Sequence, residues 1–450
     1  MTRLPWILMP CLVLLCASEA AAQRTMTDVE TALRSGAPLD LGRLVSDALE
    51  HAPASLAAGA EVDAAEEAIR GARADYMPQH TLQLSYTRIG GFEDSSLPLG
   101  SESATIPIPR NRFRIRNQLD VPVSDLLLRV RANVQSAEAE ASSAEAERQS
   151  VRDEVTLAVR SAYYDYVEAR ALAATSNASY ERALHQAQTI EARHGAGLAP
   201  SNEVADARAR VAEAEGEQVL AEGQVQRAAE ALAEWRGGTA ERWSVSLEAH
   251  DVDRLERYLA ASEQRAELRA IDARLEALAA DSRAARASGL PVIGVYGALE
   301  YSNPNPNVIP PVDEFQSSYE LGAYLSFSLN GAVRARRQRS VVDARVEALE
   351  HERERLARAI ARQVRQSHIS VRTSEALVPS RQARLEAARE SYEAAAAAYE
   401  AGTSTLTAVR IADEGLAAAD SALWRARVDV LRNLARLERS AGVGTARLDP

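Results

Sequence analysis

The side chains able to do chemistry are few, and they do not converge. The seven histidines are scattered along the chain. His185 and His194 stand nine residues apart, which is not one helical turn, and no His-Glu-x-x-His or paired metal spacing occurs. His351, Glu352 and Glu354 are one and two residues apart, a spacing that spreads side chains around a helix and leaves a charged face. The only cysteines are Cys11 and Cys16, both near the N-terminus. There is no Gly-rich phosphate loop, so nucleotide hydrolysis is excluded and any transport must draw its energy from a partner. No enzyme activity, cofactor or metal site is expected. What remains is placed charge. Arg114 and Arg116 alternate with Phe113 and Ile115, and share a face with Gln118 and Asp120.

The chain that must position these charges has 450 residues, a formal net charge of −12, 46% hydrophobic residues and 5% aromatics. It has no lysine, so all 52 basic residues are arginine. It is too hydrophobic and periodic to be disordered, and too acidic for a general nucleic-acid binder. Arg3, the apolar run from Leu4 to Cys16 and Ala20-Ala21-Ala22 before Gln23 form a secretory signal over residues 1–22. The run is too short for a membrane anchor. Leu15 is not the small residue that a lipidation signal places before its cysteine, so cleavage after Ala22 is favoured. Both cysteines then leave with the signal. Residues 23–40 are an N-terminal extension, and no later run reaches the ~18 apolar residues of a spanning helix.

The chain repeats itself once. Ala72-Arg73-Ala74-Asp75-Tyr76-Met77-Pro78 returns as Ala285-Arg286-Ala287-Ser288-Gly289-Leu290-Pro291, and Gly197-Leu198 returns as Gly402-Thr403, at offsets near 210. Each half reads helix, strand, loop, strand, very long helix, turn, return helix. Val342, Val346, Leu349, Leu356, Ile360, Val364 and Val371 largely follow alternating steps of three and four, as do Val151, Val155, Ala158 and Ala162, which is a coiled-coil seam. Residues 124–193 contain no Pro or Gly; at 1.5 Å per residue such a helix is about 105 Å long, a rod or a tube wall. Gly195 and Gly197 with Pro200, and Gly402, end the long helices, and Ser201 or Asn202 is expected to cap the return helix. The first repeat spans 41–235, with strands about 79–88 and 112–123, a helical hairpin 124–235 and a tip 194–202. The second spans 263–442, with strands about 291–302 and 319–330, a hairpin 332–441 and a tip 399–406. Residues 236–262 form a mixed segment, in which Trp243 to Leu247 alternates, and 443–450 a tail. Trp235, Trp243 and Trp424 read as packing anchors.

The strands alternate at period two. Leu82, Leu84 and Tyr86 oppose Thr81, Gln83 and Ser85, and Tyr319, Leu321, Leu325 and Phe327 oppose Glu320, Tyr324 and Ser326. Each has about the ~9–11 residues of a tilted membrane strand, with Phe113, Tyr301 and Tyr319 near strand ends. The competing reading is an antiparallel sheet covered by a helix, but no helix here has a spare broad apolar face. Four strands cannot close a barrel, and open edges are not tolerated in lipid, so several copies must each contribute four; three copies give 12 strands, wide enough for a water-filled lumen. Arg114 and Arg116 then face the lumen near its outer mouth. They either bias passage toward anions, or contact lipopolysaccharide or bridge to neighbouring strands.

With both halves in this order, the sequence resembles the TolC family of outer-membrane efflux and secretion ducts. The resemblance rests on the junctions ending at Pro78 and Pro291 and on the two turns. Gly197-Leu198 continues into Glu203-Val204-Ala205-Asp206-Ala207-Arg208, similar to the family's G-L-x(4)-[DE]-V-x-x-A-R. Tyr399-Glu400-Ala401-Gly402-Thr403 resembles its Y-x-x-G-T. It covers about Leu41 to Gly442. It implies a mainly α fold with a transmembrane β part: a homotrimeric 12-stranded barrel in outer-membrane lipid, an α-helical periplasmic tunnel, and residues 236–262 girdling that tunnel. It implies a passive exit duct of a tripartite efflux pump or a type I secretion system, without nucleic acid. A periplasmic adaptor, and through it an inner-membrane pump, would meet the tips at Gly195, Gly197, Leu198, Ser201, Ala401, Gly402, Thr403 and Leu406. The family often closes the tip with D-V-x-D after the second turn. Here those positions are Ala408 and Ile411, with Arg410 near them, so Glu203 and Asp206 are candidate gate acids beside Arg410. Their other reading is solvated acids at a helix start. The competing function is a soluble periplasmic coiled-coil scaffold or adaptor. An adaptor usually has one helical hairpin, and this chain has two. The cargo is not legible.

Overall fold

The computed structural model describes residues 29–91, 95–99, 102–106, 109–245, 252–309 and 312–443. The signal segment, the last part of the Trp243 to Leu247 alternation and the tail beyond 443 lie outside the described residues. The chain divides into two compact units, Ala60–Glu147 with Arg269–Arg355, and Arg148–Leu268 with the stretches up to Gly59 and from Leu356 onward.

The first unit is built on a four-stranded sheet. Its strands are β2 (Gln79–Arg88), β5 (Asn111–Val121), β7 (Val292–Asn303) and β8 (Gln316–Ser326), antiparallel in the order β2-β5-β7-β8. Two strand hairpins, one from each repeat, therefore meet along β5 and β7. Two ends differ from the alternation in sequence. β5 stops at Val121 because Pro122 has no N–H to give the ladder. β8 stops at Ser326, and the Ser328 hydroxyl instead accepts from Gly331 N–H at 3.1 Å, turning the chain into helix from Leu329. The loop expected between the first two strands holds a small hairpin, β3 (Ser95–Leu99) with β4 (Glu102–Ile106). Its strands are too short for alternation to register.

At one end of the sheet the strands join α2 (Pro53–Ala74), α3 (Arg131–Gly195, entered through a π turn at Leu126–Val130), α6 (Ala266–Ala287) and α7 (Leu329–Glu400). Small residues line the contacts between these helices: Ala132, Ala137, Ala273, Ala277, Ala280 and Ala335 are buried. Ser136 donates to Asp281 at 2.7 Å and Ser143 to the Ala270 carbonyl at 3.2 Å. A β-carbon on Gly289 would lie 3.0 Å from that of Ala335, so α6 and the start of α7 touch there.

The second unit holds the long remainder of α3 and α7, with α1 (Leu41–His51), α4 (Ser201–Arg236), α5 (Leu255–Ser262) and α8 (Leu406–Ala441). Its largest core gathers Val155, Tyr166, Val167, Leu232, Trp424 and Val428. A two-residue strand, β1 (Ala37–Pro38), pairs in parallel with β6 (Trp243–Ser244). Trp243 is fully buried edge-on to Tyr166, with ring centroids 5.6 Å apart. Arg170, itself buried, donates to the Trp243, Ala32 and Ser35 carbonyls and so fastens the extension to the helices.

Candidate functional site

The sheet presents two unlike faces. Leu82, Leu84, Leu299, Tyr319, Leu321 and Leu325 are each more than half exposed and occupy the same face as Ile115, Val295 and Tyr301. A face this large and apolar belongs in contact with hydrocarbon or another protein. Ten residues of β2 rise about 33 Å, or about 23 Å at a 45° tilt, close to the ~25 Å apolar band of an outer-membrane strand. The end far from the helices carries an aromatic cluster. Tyr86 and Phe113 lie 4.7 Å apart, and Phe315 lies 6.1 Å from Phe113 and 5.1 Å from Tyr301.

The opposite face is polar and internally paired. The β5–β7 register sets Arg116 opposite Glu300 and Arg114 opposite Ser302. Glu300 receives Arg114 at 3.2 Å and Arg116 at 3.7 Å, and Arg116 also reaches Glu320 at 3.4 Å. Both arginines lie on the face that alternation gives them, and their charge is met by two glutamates on neighbouring strands. Tyr296 donates to Glu320 at 2.6 Å and Tyr324 to Asp120 at 3.0 Å. Space for these rings comes from glycine. A β-carbon on Gly322 would lie 2.6 Å from the Tyr296 ring, and one on Gly294 2.5 Å from that of Tyr324.

The two helical turns, both in the second unit, share one geometry. Gly197 and Gly402 are left-handed, at φ of 75° and 74°. Leu198 N–H bonds back to the Arg193 carbonyl at 2.8 Å, and Thr403 N–H to that of Ala398 at 2.9 Å, the 6→1 closure of a Schellman turn. His194 Nδ1 donates to the Ala199 carbonyl at 2.7 Å, closing the first turn further. Thr405 caps α8 through Ala408 N–H. α4 departs from expectation. Its N-cap is Pro200, without a side-chain bond, and Ser201 is already helical. The extended backbone of Pro200 leaves the Ser201 and Asn202 side chains past the capping position. Gly195, Gly197, Leu198, Ser201, Ala401, Gly402 and Thr403 are exposed, while Leu406 packs partly into a core of Ile190, Val204, Tyr399 and Val409 that joins the two hairpins.

Polar contacts reinforce that joint. Tyr399 is buried and its hydroxyl donates to Glu203 at 2.6 Å. Burial, and then the bond to Glu203, push the Tyr399 hydroxyl up to about 12, so it remains a neutral donor. Arg193 stacks 5.2 Å from the Tyr399 ring and donates to the last carbonyl of α7, at Glu400, at 3.1 Å. Further along, buried Asp413 of α8 accepts from Arg182 of α3 at 2.7 Å and from Arg210 of α4 at 3.4 Å. Asp206 and Arg410 line one groove of about 520 Å3 with Leu406 and Asp413. Arg410 pairs with Glu414 at 3.0 Å. The structure thus brings Asp206 and Arg410 to one groove and commits Glu203 to Tyr399. Arg193, Arg182, Arg210 and Asp413 were not singled out from sequence. One signal was available: Asp413 sits between Val409 and Leu416 on the buried seam of α8, where a charge needs partners.

A sheet apolar on one exposed face and charged on the other, in a chain that also carries two joined helical hairpins, defines a subunit of an outer-membrane channel. Comparison with known proteins agrees. The family model described as outer membrane efflux protein matches residues 44–238 and 258–443, and the chain belongs to that family. Three solved structures share the fold. The outer membrane protein VceC from Vibrio cholerae is 21% identical, over 90% of this chain and 96% of that one, with a TM-score of 0.71. The open state of the MtrE outer membrane channel from Neisseria gonorrhoeae is 16% identical, over 92% and 91%, at 0.72. The CmeC outer membrane channel from Campylobacter jejuni is 15% identical, over 90% and 88%, at 0.70. No curated protein sequence matches the chain. The protein is an outer-membrane efflux protein with a periplasmic helical part, and it serves as an exit duct.

Proposed function

We propose that three copies of this chain close a 12-stranded barrel, and that the tips of the helical hairpins form a gate met by a periplasmic adaptor tied to an inner-membrane pump. The carrying observation is the sheet itself. Its apolar face is exposed, and among the described residues neither β2 nor β8 has a partner on its outer edge. Backbone groups on an open edge in lipid cost several kcal/mol each, so the edges must meet those of further copies. The charged face then lines a water-filled lumen in which Arg114 and Arg116 are neutralised by Glu300 and Glu320. Efflux through such a lumen is diffusion, not catalysis, and no group on the chain needs to react.

At the tips, the Tyr399–Glu203 bond and the Arg193 contacts hold the two hairpins together and define the resting state. An adaptor seated on Leu198, Ala401 and Thr403, with Gly195, Gly197, Ser201, Gly402 and Leu406 shaping the surface, would shift the hairpins apart, and Asp206 and Arg410 border the groove it would widen. The test is single-channel conductance of the mature protein in a planar bilayer, with its mass in detergent. A trimer with discrete conductance steps is expected. A detergent-free soluble species without insertion would overturn the reading and leave a periplasmic coiled-coil scaffold.

A further inference from the structure

The four junctions between helices and sheet carry a charge opposite to that of the whole chain. The windows 70–75, 125–131, 281–287 and 329–339 hold ten arginines against three acids, Asp75, Asp125 and Asp281, in a chain of net charge −12. The strand register places all four windows at one end of the sheet, because Gln79 pairs with Asp120, Val121 with Val295, and Val292 with Ser326. Asp125 is held by Arg129 at 2.6 Å and Asp281 accepts from Ser136, while Arg70 and Arg73 meet Glu67 and Glu138 just outside the windows, so the unmet charge gathers on the fourth window.

α7 is the most unbalanced. Helix starts favour acids, yet its first acid is Asp343, after Arg334, Arg336, Arg337 and Arg339. Arg339 pairs with Asp343 at 3.6 Å. Arg334, Arg336 and Arg337 are exposed, and among the described residues no acid meets them. Immediately before them the exposed side chains are apolar: Phe327 at 50%, Leu329 at 75% and Val333 at 63%. Hydrocarbon-compatible surface thus gives way to guanidinium within one residue. Arg334 to Arg339 span about 8 Å along the helix, comparable to the ~5–8 Å headgroup layer on one side of a bilayer.

We propose that this arginine collar binds the phosphates of anionic phospholipid headgroups in the leaflet adjoining the helices, and that it fixes the depth of the sheet in the membrane. Guanidinium suits the task, since its planar donors match phosphate oxygens in pairs and it stays charged. The proposal rests on the membrane position of the sheet, which is measured separately below. The experiment uses the full mature protein in detergent, stripped of lipid and titrated with phosphatidylglycerol or phosphatidylcholine under native mass spectrometry. Insertion is scored independently in phosphatidylcholine nanodiscs.

The wild type is expected to bind phosphatidylglycerol at least about tenfold more tightly than phosphatidylcholine, with a preference that shrinks as salt rises. The triple variant Arg334→Gln, Arg336→Gln, Arg337→Gln is expected to lose most of that preference while still inserting. Arg112→Gln, at the opposite end of the sheet, is expected to keep it. Equal binding of the two lipids by the wild type would overturn the proposal, as would a triple variant that retains the preference. If the triple variant loses its oligomeric mass, Arg337→Gln alone is titrated. An assembled single variant with unchanged preference overturns the proposal, and loss of assembly there too assigns these arginines to contacts between subunits and overturns it as well. Failure of the wild type to insert in phosphatidylcholine would instead sink the membrane position itself.

Discussion

Replacing Tyr399 with Phe removes one oxygen and leaves the ring, its packing against Val204 and Val409 and its stack with Arg193 in place. What is lost is the 2.6 Å bond to Glu203. A neutral donor on a carboxylate contributes about 1.5–3 kcal/mol net. Glu203 is only half-buried and regains water on loss of its partner, so the low end applies, about 1.5 kcal/mol. That is roughly a tenfold shift per chain toward separated hairpins, and roughly a thousandfold if three tips part together. Single-channel recording should show the Tyr399→Phe protein dwelling in higher-conductance states that the wild type visits rarely, with helical content and thermal midpoint little changed. Glu203→Gln, which keeps a weaker neutral acceptor, should fall between. The pH response follows from the raised hydroxyl. Its folded value of about 12 exceeds the ~10 of a free phenol, so its contribution is complete below about pH 10 and fades only as pH climbs toward 12. A Tyr399→Phe channel with wild-type dwell times would refute the role given to this bond.

Glu300→Ala should strip Arg114 and Arg116 of their shared partner and shift the reversal potential in a salt gradient toward anion selectivity, whereas wild-type selectivity should be weak. Gly322→Val should force the Tyr296 ring aside, cost on the order of 1–3 kcal/mol by overpacking, and reduce the yield of assembled protein in outer-membrane fractions. Burial acts to raise the Glu267 carboxyl, but bonds from Arg265 at 2.6 Å and Arg439 at 2.8 Å override it and hold it at about 2. Because that value lies below the unfolded one, its contribution is present above about pH 4.5 and lost as pH falls toward 2. Acid unfolding followed by circular dichroism should begin at higher pH in Glu267→Gln.

What could be read from the sequence was whatever is periodic. The alternation of Leu82, Leu84 and Tyr86 lies within β2, and that of Tyr319, Leu321 and Leu325 within β8, because a strand that separates oil from water writes period two directly into the chain. The turns at Gly197 and Gly402 were legible because a left-handed residue ending a helix calls for glycine. Features that depend on distant pairing were not. Nothing near Arg116 in sequence points to Glu300, which meets it only through the β5–β7 register, so anion bias and bridging between strands stayed equally open. The parallel pairing of Ala37–Pro38 with Trp243–Ser244 is two residues long and carries no pattern. Tyr399 was visible as part of a turn motif, but its partner Glu203 lies on another hairpin 196 residues away. The end of β8 was misjudged because the alternation runs on through Phe327 and Leu329, and Ser328 overrides it with a cap.

The outer edges of β2 and β8, unpaired among the described residues, bear on how the protein is made. Each edge offers roughly five N–H and five C=O groups outward, since alternate residues of a strand point to either side. In water these groups are hydrated at no net cost. In lipid they are not, and a lone chain would carry tens of kcal/mol of unmet backbone into the bilayer. Four strands cannot close on themselves, so only a ring of several copies would remove that penalty. If the copies close as proposed, insertion and assembly would become a single event, whose rate would climb steeply with the number of chains waiting in the periplasm. An incomplete ring would then stay on the aqueous side, and the bilayer itself would reject unfinished ducts.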